Sequence, residues 1–145
     1  MQAIALGWPF WAMLSAVFAA LTAIFGKIGV EKINSDFATL IRTLIIVAIL
    51  AAIVAGTGAW QPLNTVPRRT WLFLALSALA TGASWLCYYR ALQMGPASGV
   101  APIDRASVLL VALFAAMFLG ERLSAFGWLG VALVGAGSVL VAVKG

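Results

Sequence analysis

The sequence predicts an all-helical membrane protein that crosses the bilayer five times. Three observations carry this prediction. Of the 145 residues, 64% are hydrophobic and only 9% are charged, against about 25% charged in an ordinary soluble domain. A chain this short has too little interior to hide that much apolar surface from water. The apolar residues also fall into five runs, each with about the 17–25 residues that a helix needs to span hydrocarbon.

The first helix is predicted from Trp8 to Gly29. No Lys or Arg precedes it, and it is too long for the apolar stretch of a signal peptide, so it reads as a retained helix. The second runs from Asp36 to Val54 after Asn34-Ser35-Asp36, whose side chains can accept from the free N–H groups of a helix start. Gln61 to Pro67 is a polar, proline-broken loop. The third helix covers Thr70 to Ala91, and Gly95-Pro96-Ala97-Ser98 separates it from the fourth, Ser98 to Leu119. Gly120-Glu121-Arg122 is a tight charged turn before the fifth, Ala125 to Val143. Together they make one domain, residues 1–145. Trp8, Trp11, Trp60, Trp71 and Trp128 all fall near predicted helix ends, the depth at which aromatic belts form.

The net charge of +5 does not point to nucleic acid, because the basic residues stand singly between apolar runs rather than on one polar face. Cys87 is the only cysteine, so no intrachain disulfide can form. With no histidine and no cysteine cluster, no zinc site is expected, and no other metal or cofactor is called for.

With five spans, Arg68, Arg69 and Arg122 fall on one side and Lys27, Lys32, Arg90 and Lys144 on the other. The positive-inside rule acts on this near balance only weakly. Two readings stay open: one orientation with an indistinct signal, or insertion in both orientations.

A shift of 63 residues brings Lys27 onto Arg90, Arg42 onto Arg105, Trp8 onto Trp71, Phe10 onto Phe73, Ala38 onto Ala101 and Leu50 onto Leu113. The first two helices therefore resemble the next two, and the two basic pairs carry more weight than the apolar matches.

Arg42 stands six residues into its predicted helix, roughly 9 Å past the start at about 1.5 Å per residue. Asp104 and Arg105 lie similarly deep in the fourth helix. An ionised group at such depth costs several kcal/mol unless it is paired or wetted, and so marks a functional candidate. Both arginines can also snorkel to headgroups, which the short Asp104 cannot. Neighbours in sequence do not share a helix face, so Asp104 is expected to seek Arg42. Pro102 removes a backbone donor and either opens carbonyls near these residues, as in transporter sites, or serves as a first-turn proline. Trp85, Tyr88 and Tyr89 lie within one turn near Arg90, where aromatic rings either line a substrate path or form a belt. The candidate substrate-binding set is Arg42, Trp85, Tyr88, Pro102, Asp104 and Arg105.

In the fifth helix Gly127, Gly130, Val134, Gly137 and Val141 recur at three- and four-residue spacing. Such a small-residue face lets another backbone approach closely. Packing within the chain and contact with a second copy both fit it; the dimer reading takes Gly127, Gly130, Val134 and Gly137 as the interface. No nucleophile–base pair, phosphate loop or metal motif is found, so an enzyme is not expected.

The run FLGERLSAFGWLGVALVGAGSVLV resembles the end of an EamA domain of the drug/metabolite transporter superfamily. WLCYYRALQMGPASGVAPIDRASVLL is similar to the third-to-fourth helix region of that domain. The resemblance covers essentially the whole chain. Most members carry two five-helix repeats in opposite orientation, and this chain resembles the half-size bacterial or archaeal type. The resemblance implies a multi-pass protein of the cytoplasmic membrane, surrounded by lipid, that moves small metabolites or drugs by alternating access. It implies a cavity among the first four helices and fifth helices that hold two copies together; with the near balance of loop charges and the small-residue face, the expected assembly is an antiparallel homodimer. The related small multidrug resistance proteins use a carboxylate in the first helix, whereas none precedes Glu31 here. The competing class is a non-transporting membrane subunit.

Overall fold

The structure, a computed structural model, describes residues 7–144. It consists of α1 (Trp8–Gly29), α2 (Ser35–Gly56), a short 3-10 turn (Leu63–Thr65), α3 (Arg68–Met94), α4 (Ala97–Arg105), α5 (Ser107–Phe114), a π-helical turn (Ala115–Leu119) and α6 (Ala125–Lys144). No strand occurs among the described residues. Among the described residues, five segments are long and apolar enough to cross a membrane: α1, α2, α3, the continuous stretch Ala97–Leu119, and Ala125–Val143. Backbone polar groups in hydrocarbon must be satisfied within the chain, and a helix does this internally. The large apolar side chains correspondingly point outward, with Trp8 82% and Phe126 85% exposed. In water such a surface would drive association; in a bilayer it meets lipid tails.

The helix ends follow from local chemistry. The Asn34 side chain accepts from the N–H groups of Asp36 and Phe37 at 2.9 and 3.2 Å, capping α2. The Thr57 hydroxyl donates to the Ile53 carbonyl at 2.8 Å where α2 stops. Ser124 accepts from the Gly127 N–H at 3.1 Å at the start of α6. Gly120 closes the π-helical turn in the left-handed region, φ 68°, where a side chain would be strained.

The fourth span is the one that departs from a plain helix. Pro102 lies inside α4 and removes the N–H that would close a helical bond. Four residues on, the Ala106 N–H reaches back to the Ile103 carbonyl at 3.0 Å, a tighter bond than the α-helical ladder uses. There α4 gives way to α5. The π-helical turn then widens the end of the span.

The chain forms two compact units, Met1–Ile28 with Met94–Gly145, and Gly29–Gln93. In the first, α4 and α5 both pack against α6. Gly135 makes this possible: a Cβ there would collide with the Leu109 side chain of α5, whose Cγ would lie 3.0 Å away. Gly135 and Ser138 are buried on this side of α6, and Lys27 donates to the Gly95 carbonyl at 2.9 Å. In the second unit, Gln93 donates to the carbonyls of Val30 and Ile33 at 3.2 and 2.9 Å. That fixes the α1–α2 turn to the end of α3, where Val30 and Leu92 are fully buried.

Candidate functional site

The second unit holds a cleft of about 570 Å³ walled by α2 and α3. From α2 come Asp36, Thr39, Leu40 and Thr43, and from α3 Leu74, Ser77, Ala78, Thr81, Gly82, Trp85 and Leu86. Both sets recur at three- and four-residue steps, so each is one face of its helix. The walls are mainly apolar, with a few hydroxyls and one carboxylate set among them, which is the usual make-up of a small-molecule site. The hydroxyls of Thr39 and Thr43 donate to the carbonyls of Ser35 and Thr39, at 2.8 and 2.7 Å. They therefore offer the cleft acceptor oxygens rather than donors.

The carboxylate is already engaged. Arg90 Nε donates to Asp36 Oδ1 at 3.0 Å and Nη2 to Oδ2 at 2.7 Å, a two-point bond of the kind a guanidinium fork makes best. It joins the start of α2 to the end of α3. Sequence reasoning took Asp36 only as a capping residue, because nothing local places Arg90 beside it.

Arg42 is the charge left over. Its guanidinium carbon lies 4.1 Å from the centre of the Trp85 ring and 5.4 Å from that of Tyr89. Trp85 and Tyr89 are one turn apart on α3 and form a platform for it. Cation–π contact of this sort contributes about 0.5–2 kcal/mol, less than the several kcal/mol that an ionised group at membrane depth costs. Arg42 Nη1 is buried and has no hydrogen-bond partner, a condition that costs about 1–3 kcal/mol for a polar group. Among the described residues of its own unit no carboxylate pairs with Arg42, and Asp104, the partner the sequence suggested, belongs to the other unit.

Of the residues singled out by sequence, Arg42, Trp85 and Tyr88 belong to this unit. Trp85 is a wall of the cleft, and Tyr88 is half-buried with its ring edge-on to Tyr89 at 6.3 Å. Pro102, Asp104 and Arg105 belong to the other unit. There Asp104 is half-buried near the end of α4 and Arg105 is exposed. Thr39, Thr43, Ser77 and Thr81 were not singled out, and Asp36 and the buried Tyr89 were noted only as a cap and as one of three aromatic rings, outside the candidate set. Their signal was present as hydroxyl residues four apart, Thr39 with Thr43 and Ser77 with Thr81, on otherwise apolar helices.

The predicted dimer face of α6 is open in the single chain. Gly130 and Gly137 have nothing within 4 Å of a Cβ position, and Gly127 meets its own turn at Leu123. Packing within the chain uses the neighbouring face, through Gly135 and Ser138.

Residues 6–143 match the EamA-like transporter family. This chain belongs to that family. It is 62% identical over 136 residues to an uncharacterized transporter in the cobO 3' region of Sinorhizobium sp., a match covering 94% of this chain and 96% of that protein. It is 29% identical over 102 residues to the uncharacterized transporter YwfM of Bacillus subtilis (strain 168), covering 68% of this chain and 34% of YwfM. No solved structure matches the chain. Membership makes this an EamA transporter in general terms, a multi-pass membrane protein that resides in lipid and handles small molecules.

Proposed function

We propose that this EamA protein moves small metabolites or drugs across the cytoplasmic membrane by alternating access, with the α2–α3 cleft as part of its substrate path. The observation that carries the proposal is that cleft: polar groups set into two apolar spans, beside a half-buried arginine whose Nη1 is buried and unpartnered. A scaffold needs none of these, and each costs stability at membrane depth. Arg42, Trp85 and Tyr88 are assigned to it. Pro102, Asp104 and Arg105, at the broken fourth span of the other unit, are proposed as further substrate-binding residues.

The working unit is proposed to be an antiparallel homodimer. The Sinorhizobium relative is matched over 96% of its own length by one five-helix unit, and the Gly130, Val134, Gly137 face of α6 is uncovered in the single chain. Gly127 lies at the start of the same face. Two oppositely inserted copies reproduce the inverted repeats on which alternating access is commonly built. Reporters fused to the C-terminus should then give signal from both sides of the membrane; signal from one side only would refute the antiparallel arrangement.

Flux tests the activity. Purified protein is reconstituted into liposomes loaded with a defined mixture of amino acids, sugars, nucleotides and aromatic acids. At least one solute is expected to leave faster than from protein-free vesicles, in a saturable way. No protein-dependent flux for any solute would favour a non-transporting subunit.

A further inference from the structure

We propose that Arg42 binds the carboxylate or phosphate group of an organic anion whose apolar body lies in the α2–α3 cleft. The inference rests on the reading of that cleft as a substrate site and names the class of substrate.

Three observations lead to it. The charges of the cleft region are Asp36, Arg90 and Arg42, and the first two satisfy each other through two hydrogen bonds. The charge left for a ligand is therefore positive. Arg42 Nη1 is a buried donor with no acceptor, while its guanidinium is held in place over Trp85 and Tyr89. Such a group is oriented in advance, so a ligand oxygen gains a charge-assisted hydrogen bond without having to order the side chain. Trp85 belongs to both features, as a wall of the cleft and as the ring beneath Arg42.

The rest of the wall fits the same ligand. Leu40, Leu74, Ala78 and Leu86 offer apolar contact. Thr39 and Thr43 spend their hydroxyl protons on backbone carbonyls, so they present acceptors that suit a hydroxyl or amide on the ligand body. A cationic ligand would find no unpaired carboxylate on this wall. Asp36 would first have to leave Arg90.

Four aromatic probes of similar size separate the possibilities: benzoate, phenyl phosphate, benzyl alcohol and benzylamine. Each is titrated into the intact protein in dodecyl maltoside, with tryptophan emission as the readout and Trp85→Phe as the control for its origin. Benzoate and phenyl phosphate are expected to give a saturable change that the neutral and cationic probes do not. Loss of a charged hydrogen bond in Arg42→Gln should weaken them by about tenfold or more, and Arg42→Lys should recover part of the loss. Equal binding of benzylamine, or unchanged benzoate binding in Arg42→Gln, would overturn the proposal. Added phosphatidylglycerol should leave benzoate binding in place. If it displaces benzoate, the anion that Arg42 holds is a lipid headgroup, and the proposal of an organic-anion substrate fails. Liposome flux keeps the two readings apart. Flux that is indifferent to Arg42→Gln would leave the transporter standing and remove the anion site. Anion binding without any flux would do the reverse.

Discussion

Arg42 and Arg105 are related by the 63-residue sequence repeat, yet their surroundings differ. Arg42 lies over two aromatic rings with one nitrogen buried and unpartnered, whereas Arg105 is exposed at the end of α4. The sequence explains the difference. The same shift places Thr22 and Gly26 of α1 where Trp85 and Tyr89 stand on α3, so one half of the repeat has a platform and the other has none. The second basic pair diverges in the same way. Arg90 meets Asp36, but the residue equivalent to Asp36 is Gly99, and Lys27 donates to the Gly95 carbonyl. The lesson is that a repeat which conserves its cations can still divide its labour. The α2–α3 pair holds an ion pair and a cation seated on an aromatic platform, while the unit holding α4, α5 and α6 spends its sequence on close backbone approach.

Reversing the ion pair should break this comparison hardest. In Asp36→Arg two guanidinium groups face each other across the start of α2 and the end of α3. We expect flux in liposomes to fall several-fold, since two like charges replace an attractive two-point pair at this helix junction. The double exchange Asp36→Arg with Arg90→Asp should restore most of it. No recovery in the double variant would mean that the pair does more than join two helices.

The packing half of the comparison is tested on α6. Gly135→Val must push Leu109 aside, at about 1–3 kcal/mol for an overfilled contact, read as a lower melting temperature of the detergent-solubilised protein. Gly137→Val adds a side chain where the single chain has open space, so it should leave melting of the monomer nearly unchanged. On the dimer proposal it should instead reduce cross-linking between copies. Equal destabilisation by both would contradict the assignment of the two faces. A smaller effect belongs to Gly120, whose φ of 68° disfavours a side chain. Gly120→Ala should cost about 1 kcal/mol, measured by the same thermal unfolding.

The spans were legible in the sequence because hydrocarbon thickness sets their length. The predicted second helix, Asp36 to Val54, falls inside the observed Ser35–Gly56, and the third, Thr70 to Ala91, inside Arg68–Met94. The Asn34 cap was legible for the same local reason. The division of the fourth span at Ala106 was not placed, since Pro102 shows that a bond is missing but not where the helix yields. The site was legible in part. Depth singled out Arg42, and position singled out Trp85, but their contact joins residues far apart in the chain. For Tyr89 the sequence leaves open a belt or a path-lining role, and only its contact with Arg42 reveals it as the other half of the platform. Asp36 looked like a cap because pairing with Arg90 is a fact of tertiary structure. On α6 the glycine periodicity gave a face but could not say that the neighbouring Gly135 is the one used within the chain.

The measurement that bears most directly on the account compares the two equivalent arginines in one flux assay. Arg42→Gln and Arg105→Gln are reconstituted at equal density beside the wild type, and release of the transported solute is followed from preloaded liposomes. If recognition resides in the α2–α3 cleft, Arg42→Gln loses about tenfold or more of the flux through the missing charged hydrogen bond, and Arg105→Gln loses distinctly less. Equal losses, or a larger loss at Arg105, would contradict the division of labour between the two halves of the repeat.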